Sequence, residues 1–319
     1  MQTDQVISAK IHEMLTRAQL SPEMLQMINS SLNAESGAGE LYKWARLTLM
    51  NCECVSGVPE VALPGAIAME LSALAADIFD DIQDQDNDDV PWRKIPPANA
   101  QNLAICLSML GIEAFSILPD DRDSKLYKEI SQILSQMWIT ASDGQFQEFL
   151  YKSSEQITLE QYFDVVKRKS GSLTACACKI GAILGGASES LVLQLDQFGT
   201  NLGIMNQIRN DLNDFLDFER KGDFITNTKT LPVVYLTSIL NGEACDRFKE
   251  ITQAGNKGFN QFGDKERDYL KQITADEGVA QFCTVMYEIF REKAREIINA
   301  ISVPEKHKKK MIKLVEESV

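Results

Sequence analysis

A chain of 319 residues with a formal net charge of −14 is excluded as a general nucleic-acid binder, which needs a basic face; metal ions and basic peptides remain compatible partners. Hydrophobic residues make up 44%, enough for a sizeable core and too many for a disordered chain. The N-terminal MQTDQVISAK has no apolar signal core, so the seven cysteines are expected to be reduced thiols in a cytoplasmic protein.

Glycine and proline are sparse, and apolar residues recur at three- and four-residue steps, which predicts helix along most of the chain. SPEM at 21–24 reads as a helix start, with Ser21 as cap and Pro22 in the first turn. SLNAESGAGE at 31–40 breaks the pattern. Ile67, Leu71, Leu74, Ile78 and Ile82 form one apolar stripe. VPWRKIPPAN at 90–99 is a second break. TLEQ at 158–161 fits a capping box. DFERKGDFITNTKTLP at 217–232 is a third break; loops of this kind often carry ligand-covering residues. Strand-like alternation is hard to find, no repeat recurs, and no apolar run approaches the roughly 20 residues of a membrane span. The expectation is one all-α domain over 1–319 with ten or more helices.

Two C-x-C pairs, Cys52/Cys54 and Cys176/Cys178, invite a zinc reading. Zinc prefers C-x2-C or added histidines, and the only histidines are His12 and His307, so buried structural thiols are expected. Gly199 and Gly203 read as close helix packing. The basic end KHKKKMIKLV reads as a solvated last helix, with loose contact to an anionic membrane surface as the alternative. Trp44, Trp92 and Trp138 read as packing residues, although Trp44 lies where an acceptor would approach.

The stretch DIFDDIQDQDNDDVPWRK at 77–94 crowds aspartates onto a helix. Asp77, Asp80, Asp81 and Asp84 share one broad face, and each like-charge pair costs roughly 0.2–0.5 kcal/mol if nothing neutralises it. An EF-hand on Asp84, Asp86 and Asp88 fails, because its sixth position is Asp89 and its twelfth Ile95. A second stripe, in NQIRNDLNDFLD at 206–217, aligns Asn210, Asp211 and Asp214, with Gln207 one turn before Asp211. Two such stripes facing one another across a cavity would hold Mg²⁺, which takes oxygen ligands and bridges to substrate phosphates. That reading makes the aspartates a metal bed for a diphosphate.

At this point the sequence resembles the trans-isoprenyl diphosphate synthases. DDIQD at 80–84 and NDLND at 210–214 resemble the two Asp-rich motifs of that family. FGTNLGIMNQIRND, with Gln207, KSGSL at 169–173, with Ser170 for threonine, KTLP at 229–232, and WRK at 92–94 resemble further segments in the family's order. The resemblance implies an isoprenoid synthase fold, a helical bundle around a central cavity, and two or three Mg²⁺ ions on Asp80, Asp81, Asp84, Asn210, Asp211 and Asp214. It makes Asp80, Asp81, Asp84, Lys169 and Lys229 catalytic and Arg93, Lys94, Ser170 and Gln207 substrate-binding, with Arg93, Lys169 and Lys229 adding positive charge where the diphosphate leaves.

The departures lie on the other side. Of the family's early GGKRxRP segment, ELYKWARL keeps Lys43 and Arg46 and replaces the middle arginine with Trp44. The family's histidine seven residues before the first aspartate is Ala73 here. Those groups hold isopentenyl diphosphate in the family; losing part of the set implies another acceptor, with Lys43 and Arg46 expected to remain substrate-binding. This combination resembles the ComQ family of isoprenyl transferases. That resemblance implies transfer of a geranyl or farnesyl group to a tryptophan of a ComX pheromone precursor peptide, maturing a quorum-sensing signal that controls competence. The allylic cation would meet the indole at C3, and no residue stands out as a general base. Ala75 and Ala76 before the first motif fit either room for a prenyl tail or close helix packing. The alternatives carried are a short-chain polyprenyl diphosphate synthase, a terpene cyclase, and a non-catalytic subunit of a heteromeric synthase, against which both Asp-rich motifs speak. A homodimer is compatible with all of these.

Overall fold

A computed structural model describes residues 2–35, 41–85, 87–117, 124–217, 227–254 and 263–317. Fourteen α-helices and no strand occur among them. The first seven are α1 (Gln2–Arg17), α2 (Pro22–Glu35), α3 (Lys43–Ser56), α4 (Leu63–Asp84), α5 (Pro97–Glu113), α6 (Ser124–Lys152) and α7 (Leu159–Val166). A π-helical turn, Lys167–Gly171, joins α7 to α8 (Ser172–Leu184). Then follow α9 (Glu189–Leu216), α10 (Leu231–Ile239), α11 (Gly242–Ala254), α12 (Asp264–Asp276), α13 (Val279–Ala300) and α14 (Glu305–Glu317).

The expected helix starts are present with their chemistry. The Ser21 hydroxyl accepts the Met24 N–H at 3.2 Å. Thr158 and Gln161 exchange side-chain and backbone bonds in a complete capping box. The break expected at 31–40 begins later, because α2 runs on to Glu35; Ser31 and Leu32 are buried, and their burial carries the helix forward. Residues 36–40, Asp86 and 218–226 of the expected loops lie outside the described residues. The 90–99 break is a short 3₁₀ turn, Pro91–Lys94, followed by α5 with proline in its first turn.

The chain divides into two compact units. Met1–Trp138, Leu173–Gly199 and Ala300–Lys310 form the first; Ile139–Ser172, Thr200–Asn299 and Met311–Val319 form the second. The first is built on α4, where Ile67, Leu71, Leu74 and Ile78 are buried as the stripe requires, Ile82 at its end is half-buried, and Ala66, Ala68, Ala73 and Ala75 are equally closed. Each buried large aliphatic side chain contributes about 1.5–3 kcal/mol, well above the repulsion of the aspartate pairs, so the helix continues through them. The stretch Pro59–Asp84 is in fact long and apolar enough to cross a membrane, contrary to the sequence reading, but 72% of its apolar 18-residue window is buried inside the protein and it ends in carboxylates. Gly199 packs as expected: a Cβ there would stand 2.6 Å from the Thr174 carbonyl oxygen. All seven cysteines are free, and Cys52, Cys54, Cys176, Cys178 and Cys283 are buried.

The second unit is centred on Tyr162, Phe215, Leu231, Val234, Phe248, Cys283 and Ile298, all buried. Phe163 links Tyr162 to Phe290 through ring contacts of 5.0 and 5.2 Å. Pro232 stands in the first turn of α10, where its missing N–H costs nothing.

Candidate active site

In the first unit, Asp77, Asp80, Asp81 and Asp84 occupy the last two turns of α4. A helix C-terminus carries partial negative charge, so carboxylates there are doubly opposed, by one another and by the dipole. No basic residue lies in that last turn. Asp77, Asp80 and Asp84 are half-buried. Asp81 is different: it is buried, Asn87 Nδ2 donates to its Oδ1 at 2.6 Å and Trp92 Nε1 to its Oδ2 at 2.7 Å. Burial lifts its pKa to about 7, against the pull of the Asn87 and Trp92 bonds and with a further push from Asp77 and Asp80. Beside it, Arg93 Nη2 donates to Asp88 Oδ1 at 2.9 Å, while the Arg93 Nε is buried without a hydrogen-bond partner among the described residues. Lys94 is exposed.

The start of α3, also in the first unit, holds Lys43, Trp44 and Arg46. Lys43 is exposed, 5.7 Å from the centroid of the Trp44 ring. Arg46 is engaged: its Nη2 reaches both oxygens of Asp4 at 2.8 and 2.9 Å, and its Nε donates to the Leu41 carbonyl at 2.9 Å. Glu70 on α4, buried, accepts the Ala45 N–H at 2.8 Å. Ala73 and Ala75 have no exposed surface, which at Ala75 fits close packing.

In the second unit, Asn210, Asp211 and Asp214 lie in the last two turns of α9, again without a basic residue in the last turn. Asn210 is exposed and Asp214 half-buried. Asp211 is buried and receives three donors: Tyr162 Oη at 2.7 Å and the Leu231 N–H at 2.8 Å on Oδ2, and Gln207 Nε2 at 2.7 Å on Oδ1. Burial raises its pKa to about 6, opposed by those three bonds and reinforced by Glu148. Burial beside Asp211 likewise drives the Tyr162 hydroxyl well above its ordinary range, so it stays a donor. The Ser170 hydroxyl donates to Gln207 Oε1 at 2.6 Å, which ties the π turn to the acid stripe. Lys169 pairs with Glu148 at 2.7 Å. Lys229, half-buried, donates to Asn227 Oδ1 at 2.9 Å, and desolvation holds its pKa below the usual lysine value.

Among the described residues no group of three or more His, Cys, Asp or Glu side chains is gathered to hold a metal ion by itself. Mg²⁺ does not need such a cage, since it is held by one or two carboxylates, waters and substrate phosphates. The donor set suits it: every candidate ligand is an oxygen, and each stripe sits at the C-terminal end of a helix, where the dipole favours positive charge. Mg²⁺ therefore fits at Asp80 and Asp84, and at Asn210 and Asp214. On Asp81 and Asp211 each oxygen is already taken by at least one N–H or O–H donor.

Residues 45–267 match the polyprenyl synthetase family. The chain belongs to that family. It is a prenyltransferase with the isoprenoid synthase fold. Tryptophan prenyltransferase ComQ of Bacillus subtilis (strain 168) is 27% identical over 292 residues, covering 91% of both chains. Geranylfarnesyl diphosphate synthase of Aeropyrum pernix is 24% identical over 323 residues, covering 95% of this chain and 96% of the other. The crystal structure of a polyprenyl synthetase from Streptomyces coelicolor A3(2) superimposes with a TM-score of 0.83 at 24% identity, covering 100% of this chain and 98% of that one. Sequence similarity thus places the chain with the ComQ relatives inside this family.

Several contacts of this prenyltransferase carried no signal along the sequence: Asp4 with Arg46, Glu70 with α3, Trp92 and Asn87 with Asp81, and Tyr162 with Asp211. Asn87 and Trp92 stood within the stretch 77–94, but neither was tied to Asp81 there, and Trp92 read as a packing residue.

Proposed function

We propose that the chain transfers a geranyl or farnesyl group from its diphosphate to a tryptophan of a ComX-type precursor peptide, with Mg²⁺ as the metal. The likeness to the ComQ tryptophan prenyltransferases supports the reading. One structural observation carries it: both acid stripes stand at the C-terminal ends of helices, where the dipole favours cations, while the basic set expected for a diphosphate acceptor is reduced, with Trp44 in place of an arginine, Ala73 in place of a histidine and Arg46 bound by both oxygens of Asp4.

Mg²⁺ held by Asp80 and Asp84 in the first unit, and Mg²⁺ held by Asn210 and Asp214 in the second, would each offer positive charge to a leaving diphosphate. Arg93 in the first unit, and Lys169 and Lys229 in the second, would add positive charge where a diphosphate develops negative charge. Asp81 and Asp211 orient: one fixes the segment bearing Trp92 and Arg93, the other fixes Tyr162, Gln207 and the start of α10. Neutral Trp44 offers the acceptor an aromatic face. The likeness to the geranylfarnesyl diphosphate synthase keeps chain elongation as the second reading.

The test is incubation with radiolabelled geranyl and farnesyl diphosphates and Mg²⁺, with a tryptophan-bearing precursor peptide or with isopentenyl diphosphate. Labelled peptide and little longer-chain product are expected. Efficient elongation with no peptide modification overturns the reading.

A further inference from the structure

The start of α3 has the makings of an anion site. It offers Lys43, the Arg46 guanidinium and the N-terminal N–H groups of a helix of 14 residues; helix N-termini favour negative charge. The protein fills these positions with its own carboxylates. Asp4 takes Arg46 Nη2 with both oxygens, and the Leu41 carbonyl, beside Tyr42 in the left-handed region (φ 57°), takes Nε. Glu70, buried, takes the Ala45 N–H. The guanidinium thus meets a carboxylate of the same protein, and the helix N–H of Ala45 meets another. Glu70 is sealed in the core, whereas the Asp4 side chain keeps 18% of its surface and Arg46 32%. Asp4 is therefore the carboxylate that an incoming anion meets and must displace.

We propose that Asp4 is a specificity-determining residue: by neutralising Arg46 it denies this end of the protein to a diphosphate-bearing acceptor and leaves it to an uncharged one. This rests on the reading that the acceptor approaches beside Lys43, Trp44 and Arg46. A multiply charged diphosphate gains from a free guanidinium fork and loses against a fixed carboxylate. An indole on a peptide is indifferent to both. Rejection by an unfavourable charge, rather than by added affinity for the right partner, is a common route to selectivity.

The simpler role for Asp4 is to pin α1 to α3, and the experiment separates the two. Wild type, Asp4→Asn, Asp4→Glu and the double variant Asp4→Asn with Arg46→Ala are compared. Each is given farnesyl diphosphate, Mg²⁺ and equal amounts of isopentenyl diphosphate and tryptophan peptide. Melting temperature and binding of inorganic pyrophosphate are measured alongside. The expected result is that Asp4→Asn raises the ratio of elongation to peptide prenylation by about fivefold, the scale of one partly exposed ion pair. Pyrophosphate binding should tighten with it. Asp4→Glu should behave as wild type, and the double variant should lose the gain. A changed melting temperature with an unchanged product ratio overturns the proposal in favour of pinning. A gain in Asp4→Glu as well overturns it, since charge would then not be the cause. Wild type that elongates and leaves the peptide untouched overturns the underlying reading and this inference together.

Discussion

Within each acid stripe one aspartate is held apart from its neighbours. Asp81 and Asp211 are buried and bound by donors, while Asp80, Asp84 and Asp214 keep surface. The two kinds should respond differently to change. Asp84 is the last residue of α4, one turn from Asp80 and Asp81. Asp84→Asn removes a ligand charge and should abolish transfer at limiting Mg²⁺ while the helical fold is kept; an activity assay over a range of Mg²⁺ concentrations beside circular dichroism checks both. Tyr162→Phe removes a donor to a buried carboxylate and should cost about 1.5–3 kcal/mol. Unchanged urea midpoints would show that this bond does not hold Asp211. The acid stripes were legible because their spacing is local to one helix. Tyr162 was not, because it meets Asp211 across 49 residues and no periodicity marks that meeting.

At the scale of elements, the π turn Lys167–Gly171 is where the helical pattern of the sequence was least informative. Nothing in the spacing of its five residues marks a departure from ordinary helix, yet the wider turn sets Lys169 toward Glu148 and Ser170 toward Gln207. Such turns recur at functional sites. What fixes it is Gly144 on α6: a Cβ there would stand 2.8 Å from the Lys169 backbone nitrogen and 2.8 Å from the Arg168 Cβ. Arg168 adds bonds to Asp143 at 2.9 Å and Asp164 at 2.8 Å. Gly144→Ala should push the turn off α6 and cost about 1–3 kcal/mol in overpacking. Because it moves Lys169 and Ser170 together, KM for the prenyl diphosphate should rise more than KM for the acceptor. Equal changes in both constants would mean that the turn is not tied to the donor side. The capped starts of α2 and α7 were readable for the opposite reason, since a cap is written within four residues.

Across the whole molecule, helix class and family were legible from patterns repeated along most of the chain, whereas the division into two units and the burial of isolated polar groups depend on contacts between distant segments. His307 is such a group. In the sequence it stood within a basic run that reads as a solvated helix; in the structure it is buried on α14, with Nδ1 unpartnered among the described residues. Burial holds its pKa below the ordinary 6.5, opposed by Glu53 and aided by Lys306 and Lys310. The unfolded chain therefore takes up a proton near pH 6.5 that the folded chain refuses until a lower pH. In that window the unfolded state binds more protons, so this group's contribution falls as pH falls. Asp81 and Asp211, raised to about 7 and about 6, act with the opposite sign, since the folded chain keeps protons that the unfolded one releases. Total stability thus mixes the two, and a paired comparison isolates the histidine. His307→Leu removes the titration and fills the site with apolar volume. Between pH 7.5 and 5.5 the melting temperature of the wild type should fall relative to the variant by roughly 1–4 °C. Parallel melting curves across that range would show that His307 accepts its proton while folded.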